Sequence, residues 1–318
     1  MKKGLSLATL LAALIVMTLF SACVMAARGA EVLSACGADD VAAELEKAKQ
    51  RLSPAYTLAY KFTAGEKFRT KVVHLATVET KIKGAEQTTK SRTISTRAWR
   101  IKEVNPQGHI TFENVVERVE MWNSVSGKEE VRYDSRTDEN PPPGFETVAQ
   151  SIGRVLATIT IDPHGRILTR ENAQLQFNPG IGELTIPFPA TPVKPGASWS
   201  IPDELKMTTD DGKVKKVQTQ QQYTLEKVET GVATIKVQTQ ILTPINDPKL
   251  QSQLVQRLQR GTIKFDLDAG RLIHKQMDID EEVFAFSGAD SHMQYLARLT
   301  EEPLKEETAA APDAGQRK

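Results

Sequence analysis

Cysteine is nearly absent from the 318 residues: Cys23 and Cys36 are the only two, and both lie near the N-terminus. No disulfide framework and no cysteine-based metal site can be built from them, so the fold must be held by its apolar core. Aromatic residues make up only 6% of the chain, while Thr, Val, Gln and Lys are plentiful. That mix suits antiparallel strands with one wet face better than a helical bundle. The formal net charge is +1, which leaves no global field to draw nucleic acid or an anionic membrane. Catalytic signatures are missing too. There is no Gly-x-Ser-x-Gly elbow, and Gly180-Ile181-Gly182 lacks the third glycine and the strand-to-helix context of a phosphate loop. His74, His109, His164, His274 and His292 are scattered, with no pair at the spacing of a zinc helix. No catalytic residue, metal ligand or cofactor follows from the sequence.

The N-terminus carries a targeting signal. Lys2 and Lys3 precede an apolar run from Leu5 to Leu19 of about fifteen residues, short for a membrane span and suited to export. Two exits are open. Val24-Met25-Ala26 fits ordinary cleavage after Ala26, which makes residues 1–26 a signal peptide and the product soluble. Phe20-Ser21-Ala22-Cys23 resembles a bacterial lipobox, with Phe where Leu is usual. On that route Cys23 is the lipidated first residue, and a lipid anchor is the chain's sole membrane contact. Leu33-Ser34-Ala35-Cys36 is separated from the apolar run by Arg28 and Glu31. Either exit predicts a periplasmic, extracellular or membrane-anchored protein.

Beyond the signal, residues 27–54 read as a helical leader. Asp39 and Asp40 lie in the first turn of a short helix, with Lys47, Lys49 and Arg51 in its last. Strands are predicted from Tyr56, where Leu58, Tyr60 and Phe62 alternate onto one face. Pro141-Pro142-Pro143-Gly144 breaks the pattern, and Phe145, Val148, Ile152 and Leu156 then recur at helical spacing. A second helix is predicted over 248–259, behind Asp247-Pro248. Residues 301–318 read as a disordered tail.

One pattern occurs twice. An alternating run reaches Asp162, turns through Gly165-Arg166 and enters a second apolar run; Asp266, Gly270 and Arg271 repeat it. Each copy follows a predicted helix. Gly65 and Gly196 match upstream, each before a large aromatic residue, as do Gly108 and Gly231. The order never breaks. The chain therefore divides into a first β half over 55–178, a connector over 179–192 and a second β half over 193–300. Two carboxylates at Asp266 and Asp268 could suit a cation or acid-base chemistry, but Asp beside Gly in a hairpin is favoured by turn geometry alone. Arg166 and Arg271 are expected to pair across the hairpin with the Asp before the turn.

Tyr60-Lys61-Phe62-x-x-Gly65-Glu66, Pro195-Gly196-x-x-Trp199 and Gly261-x-Ile263-x-Phe265-Asp266-x-x-x-Gly270-Arg271-Leu272 together resemble a family of uncharacterised secreted bacterial proteins abundant in planctomycetes. The motifs mark turns and strand ends, and no catalytic residue carries over. More distantly, the pattern is similar to the half-barrel of bacterial lipoprotein carriers, a likeness of architecture only. The expected fold is mainly β: a curved antiparallel sheet or open half-barrel from two related halves, with a few short helices on the concave side. The leading functional expectation is a non-catalytic envelope protein holding an apolar or amphipathic ligand, such as a lipid, in that concavity, which requires a cavity of a few hundred Å3. The alternatives are a structural or protein-interaction module of the envelope, and a hydrolase or metal enzyme without a recognisable motif.

Overall fold

The computed structural model describes residues 53–172, 185–209 and 212–304. The predicted signal, Cys23, the leader up to residue 52 and residues 305–318 lie outside them. The described strands are β1 (Lys67–Ile82), β2 (Ala85–Val104), β3 (Ile110–Val125), β4 (Val131–Asp134), β5 (Val155–Ile161), β6 (Ile167–Asn172), β7 (Ser198–Thr208), β8 (Val214–Glu229), β9 (Val232–Ile241), β10 (Arg260–Asp266), β11 (Arg271–Phe284) and β12 (His292–Pro303). They form one antiparallel sheet in the order β6-β5-β3-β2-β1-β12-β11-β10-β9-β8-β7, with β4 added beside β3. The sheet is mainly β as expected and stays open, ending at β6 and β7.

The two halves repeat one geometry. The order β6-β5-β3-β2-β1 recurs as β11-β10-β9-β8-β7, and β12 fills the gap between them. The glycine pairs matched by sequence occupy equivalent places. Gly65 donates its N–H to the Ile101 carbonyl, and Ile101 donates back to Glu66; Gly196 donates to Leu225, and Leu225 back to Ala197. Ile101 and Leu225 both stand at a β-bulge, and so do Thr160–Ile161 and Lys264–Phe265, just before the two Asp turns. A bulge adds twist and bends its strand. Placed together at one end of a sheet whose β2 runs 20 residues, these bulges curl the inner face onto itself.

The inner face then carries one continuous core. Ile101, Phe112, Ile159 and Ile161 of the first half join Leu225, Ile235, Ile263 and Phe265 of the second, all at most 3% exposed. Burying a large aliphatic or aromatic side chain contributes roughly 1.5–3 kcal/mol, so this set dominates the fold. Helix α1 (Glu146–Ser151) sets Val148 against Val119 and Tyr133, and helix α2 (Pro248–Leu254) sets Leu250 and Leu254 against Met207 and Val217. Asp247 caps α2 by accepting from the Lys249 N–H. Both helices are shorter than their apolar spacing suggested. Leu156 belongs to β5, and Val255–Arg257 forms a 3-10 turn. At the C-terminal end, Glu301–Pro303 continue β12 rather than beginning a tail.

Two segments expected otherwise are straps. Residues 55–62 alternate like a strand yet join no ladder beyond the isolated Tyr56–Val193 bridge. Their alternation is still used, because Leu58 is 1% and Tyr60 6% exposed. The described part of the connector, from Thr185, is equally packed: Ile186 and Phe188 are buried in the same core. Both straps lie on the Asp-Gly hairpins. Tyr60 donates to the Pro163 carbonyl, Lys61 to the Gly270 carbonyl and Phe188 to the His164 carbonyl.

This contact requires glycine. A Cβ on Gly165 would stand 2.4 Å from the Ile186 carbonyl oxygen, and one on Gly270 2.5 Å from the Lys61 side chain. Both have positive φ. Gly127 has positive φ as well, but open space around it. Gly165→Ala should therefore cost about 3 kcal/mol or more, against about 1 kcal/mol for Gly127→Ala. Urea denaturation of the two variants measures this; equal losses would mean that the strap does not seat on the turn.

Candidate functional site

The inner face of the sheet divides into three zones along the strands. At the bulged end is an aromatic cluster. Trp99 stacks on Phe112 at 4.3 Å between centroids, and Phe188 meets Phe265 edge-on at 4.7 Å. Tyr60 touches Phe62, Trp99, Phe188 and Phe265, and its hydroxyl accepts the Ile186 N–H at 2.8 Å. Such aromatic pairs add about 0.5–1.5 kcal/mol each beyond burial. The cluster is filled.

Next comes a polar belt. The Thr70 hydroxyl donates to Glu301 at 2.9 Å, Arg97 lies opposite Thr70, and Lys275 lies opposite Glu301. Arg97 is 4% and Lys275 7% exposed. Burial lowers the Arg97 pKa and the nearby Glu301 carboxylate offsets part of that. Between the belt and the rings of Tyr60 and Trp99 is a cavity of about 10 Å3, the space of one water molecule. Drug-sized ligand pockets run to roughly 300–1,000 Å3.

The third zone is the stretch of inner face beyond the belt, where Val78 and Ala297 pack against a second apolar cluster of Val255, Ile279, Val283, Met293 and Tyr295. His74, Ala76 and Val78 of β1 stand beside Thr93 and Ser91 of β2 and Leu299, Ala297 and Tyr295 of β12. His74, Ala76, Val78, Ser91, Thr93 and Ala297 are half-buried. Titratable groups here are pushed toward neutrality. Burial lowers the pKa of His74 and raises those of Glu281 and Tyr295, although Arg260 pulls Glu281 part of the way back.

The motif residues have other partners. The Asp162 carboxylate accepts the backbone N–H groups of His164 and Arg166, and Asp266 those of Asp268 and Ala269. Both aspartates thus hold their own turns. The Arg271 side chain pairs with Glu66 at 2.5 Å and lies over the Phe62 ring, so the expected pairing with Asp266 does not form. The turn between the strap and β1 brings Glu66 alongside, which hairpin spacing alone could not reveal. Arg166 is exposed, and its link to Asp162 runs through its main chain. His164 reaches the Leu58 carbonyl at 3.1 Å, and the His109 N–H bonds Asn105 within its turn. Among the described residues, no group of three or more His, Cys, Asp or Glu is placed to hold a metal ion. Sequence reading missed the belt, because Thr70, Arg97, Lys275 and Glu301 share no motif and meet only through strand pairing.

Residues 174–280, about a third of the chain, match a model described as "Family of unknown function (DUF6263)". No curated protein matches. Among solved structures, a chain of lipovitellin, titled for its lipid-protein interactions, is 10% identical with a TM-score of 0.41. The alignment covers 80% of this chain and 27% of that one. The translocator domain of autotransporter NalP from Neisseria meningitidis is 8% identical with a TM-score of 0.28, covering 84% and 98% of the two chains. At these scores neither likeness identifies a ligand or a membrane role.

The lowered His74 pKa gives a signed expectation. The unfolded chain takes up a proton near pH 6.5 that the folded chain resists, so His74 destabilises the fold as pH falls from about 6.5 toward its lower folded pKa. Urea midpoints measured between pH 8 and 5 should decline less for His74→Gln than for the wild type. Parallel profiles would remove His74 from the account.

Proposed function

We propose that the chain is an exported, non-catalytic β protein of the cell envelope that works by surface contact, as a structural or protein-interaction module. The observation that supports this over a ligand carrier is the close packing of the bulged end of the inner face. The cavity between the aromatic cluster and the polar belt has room for about one water, where an enclosed apolar ligand needs a few hundred Å3. Uncovered features lie at the periphery instead: Ile167 and Leu168 are 45% and 48% exposed on an edge strand, and Phe284 is 63% exposed at the β11–β12 hairpin. Exposed apolar groups of this kind, beside unpaired strand edges, mark interaction surfaces.

A second reading, an amphipathic ligand lying on the inner face beyond the belt, draws on the half-buried His74, Ala76 and Ser91 and on the neutralising environment there. One experiment separates the two. Protein purified from its own cells is extracted with organic solvent, and the extract is analysed by mass spectrometry. The expected result is no stoichiometric lipid; one amphiphile per chain would overturn the surface-contact reading. The same preparation reports the N-terminus, as Ala27 after soluble export or as an acylated Cys23.

A further inference from the structure

Among the described residues, Phe284 is the only exposed aromatic side chain, at 63%. Its place in the sheet accounts for that exposure. On one side it stands opposite His292 of β12, and the two rings stack at 4.6 Å between centroids. On the other side β10 has not yet begun, because its first pair sets Arg260 against Asp278. One face of the ring is therefore held by the imidazole, and no strand covers the other. Strand periodicity puts Asp280 and Glu282 on the same outer face, and both are exposed. Among the described residues, Asp280 has no ion pair, and Glu282 comes only within 4.0 Å of His292 Nε2, too far for a hydrogen bond. The bases around them are engaged elsewhere. Lys81 bonds Glu86, Arg298 bonds Asp278, and Arg260 acts on Asp278 and Glu281. Leu296, 37% exposed, stands opposite Asp280.

We propose that this outer corner of β11 docks an arginine-bearing segment of another polypeptide. The inference rests on the surface-contact reading and names the surface and the partner's chemistry. A guanidinium laid on the free face of Phe284 gains a cation–π contact. Glu282, about 7 Å back along the same face, accepts its N–H groups as a bidentate pair. Apolar side chains beside that arginine cover Leu296, and Asp280 pairs with a second base of the segment. Arginine suits the position better than lysine, because its planar, weakly hydrated head can stack and pair at once. The same two carboxylates repel an anionic lipid surface.

The test uses the full chain and two capped octapeptides, one alternating valine with arginine and one alternating valine with citrulline. Citrulline keeps the shape of arginine and removes its charge. By fluorescence anisotropy the arginine peptide should bind about tenfold or more tightly than the citrulline peptide. Phe284→Leu keeps an apolar side chain without the ring, and Glu282→Gln removes the carboxylate charge. Both change exposed positions and should keep the wild-type urea midpoint, and each should weaken arginine-peptide binding about fivefold. Equal affinity for the two peptides, or unchanged affinity in either variant, would overturn the proposal. So would self-association of the free chain that Phe284→Leu abolishes, which would assign the corner to a second copy. Adsorption to phosphatidylglycerol vesicles that Phe284→Leu abolishes would overturn it too, in favour of a lipid surface. Lipid found in the extraction experiment would remove the surface-contact reading and leave the peptide affinities as measured. A lipid-free extract with equal peptide affinities would remove this site alone.

Discussion

Two adjacent backbone donors tie the structure together. The N–H groups of Tyr60 and Lys61 are given to the Pro163 and Gly270 carbonyls, one in the Asp-Gly hairpin of each half. The hairpins are far apart in sequence, and each alone would be a solvent-exposed turn. With the strap across them they become the rim of a common core. The bulges, the positive φ of Gly165 and Gly270, and the aromatic contacts of Tyr60 all serve this seat. Without it the curled sheet would expose Phe112 and Phe265 to water.

The seat has a functional consequence. An open sheet of this length could have kept a ligand channel along its inner face. Here the straps occupy the bulged end, and the polar belt of Thr70, Arg97, Lys275 and Glu301 crosses the middle. Buried charges of that kind are expensive to desolvate and contribute little net stability. At the bulged end the inner face is thus given to packing the fold.

Legibility in the sequence followed the range of each interaction. The repeated Asp…Gly-Arg turns, the matched glycines and the two short helices were readable because turn chemistry and periodicity are local. Leu58, Tyr60 and Phe62 were assigned to the right face for the wrong reason. Alternation in an extended segment reports which side is buried, but it cannot say whether a neighbouring strand or a pair of turns does the burying. Arg271 shows the same limit. Its spacing suggests Asp266, and the turn before β1 supplies Glu66. The helix over 145–156 stopped at Ser151 because pairing with β3 claimed Val155 onward.

The sequence by itself therefore determined the mainly β class, the repeat and the identity of the turn residues, each a consequence of local backbone sterics and side-chain periodicity. Tertiary structure alone decided that the strap lies across both hairpins, that Arg97 and Lys275 share a belt with Glu301, and that the bulged end of the inner face is packed with aromatic side chains. Those outcomes depend on which strands neighbour one another and on how far the bulges curl the sheet. That is set by the packing free energy of the whole sheet, and no stretch of sequence carries it.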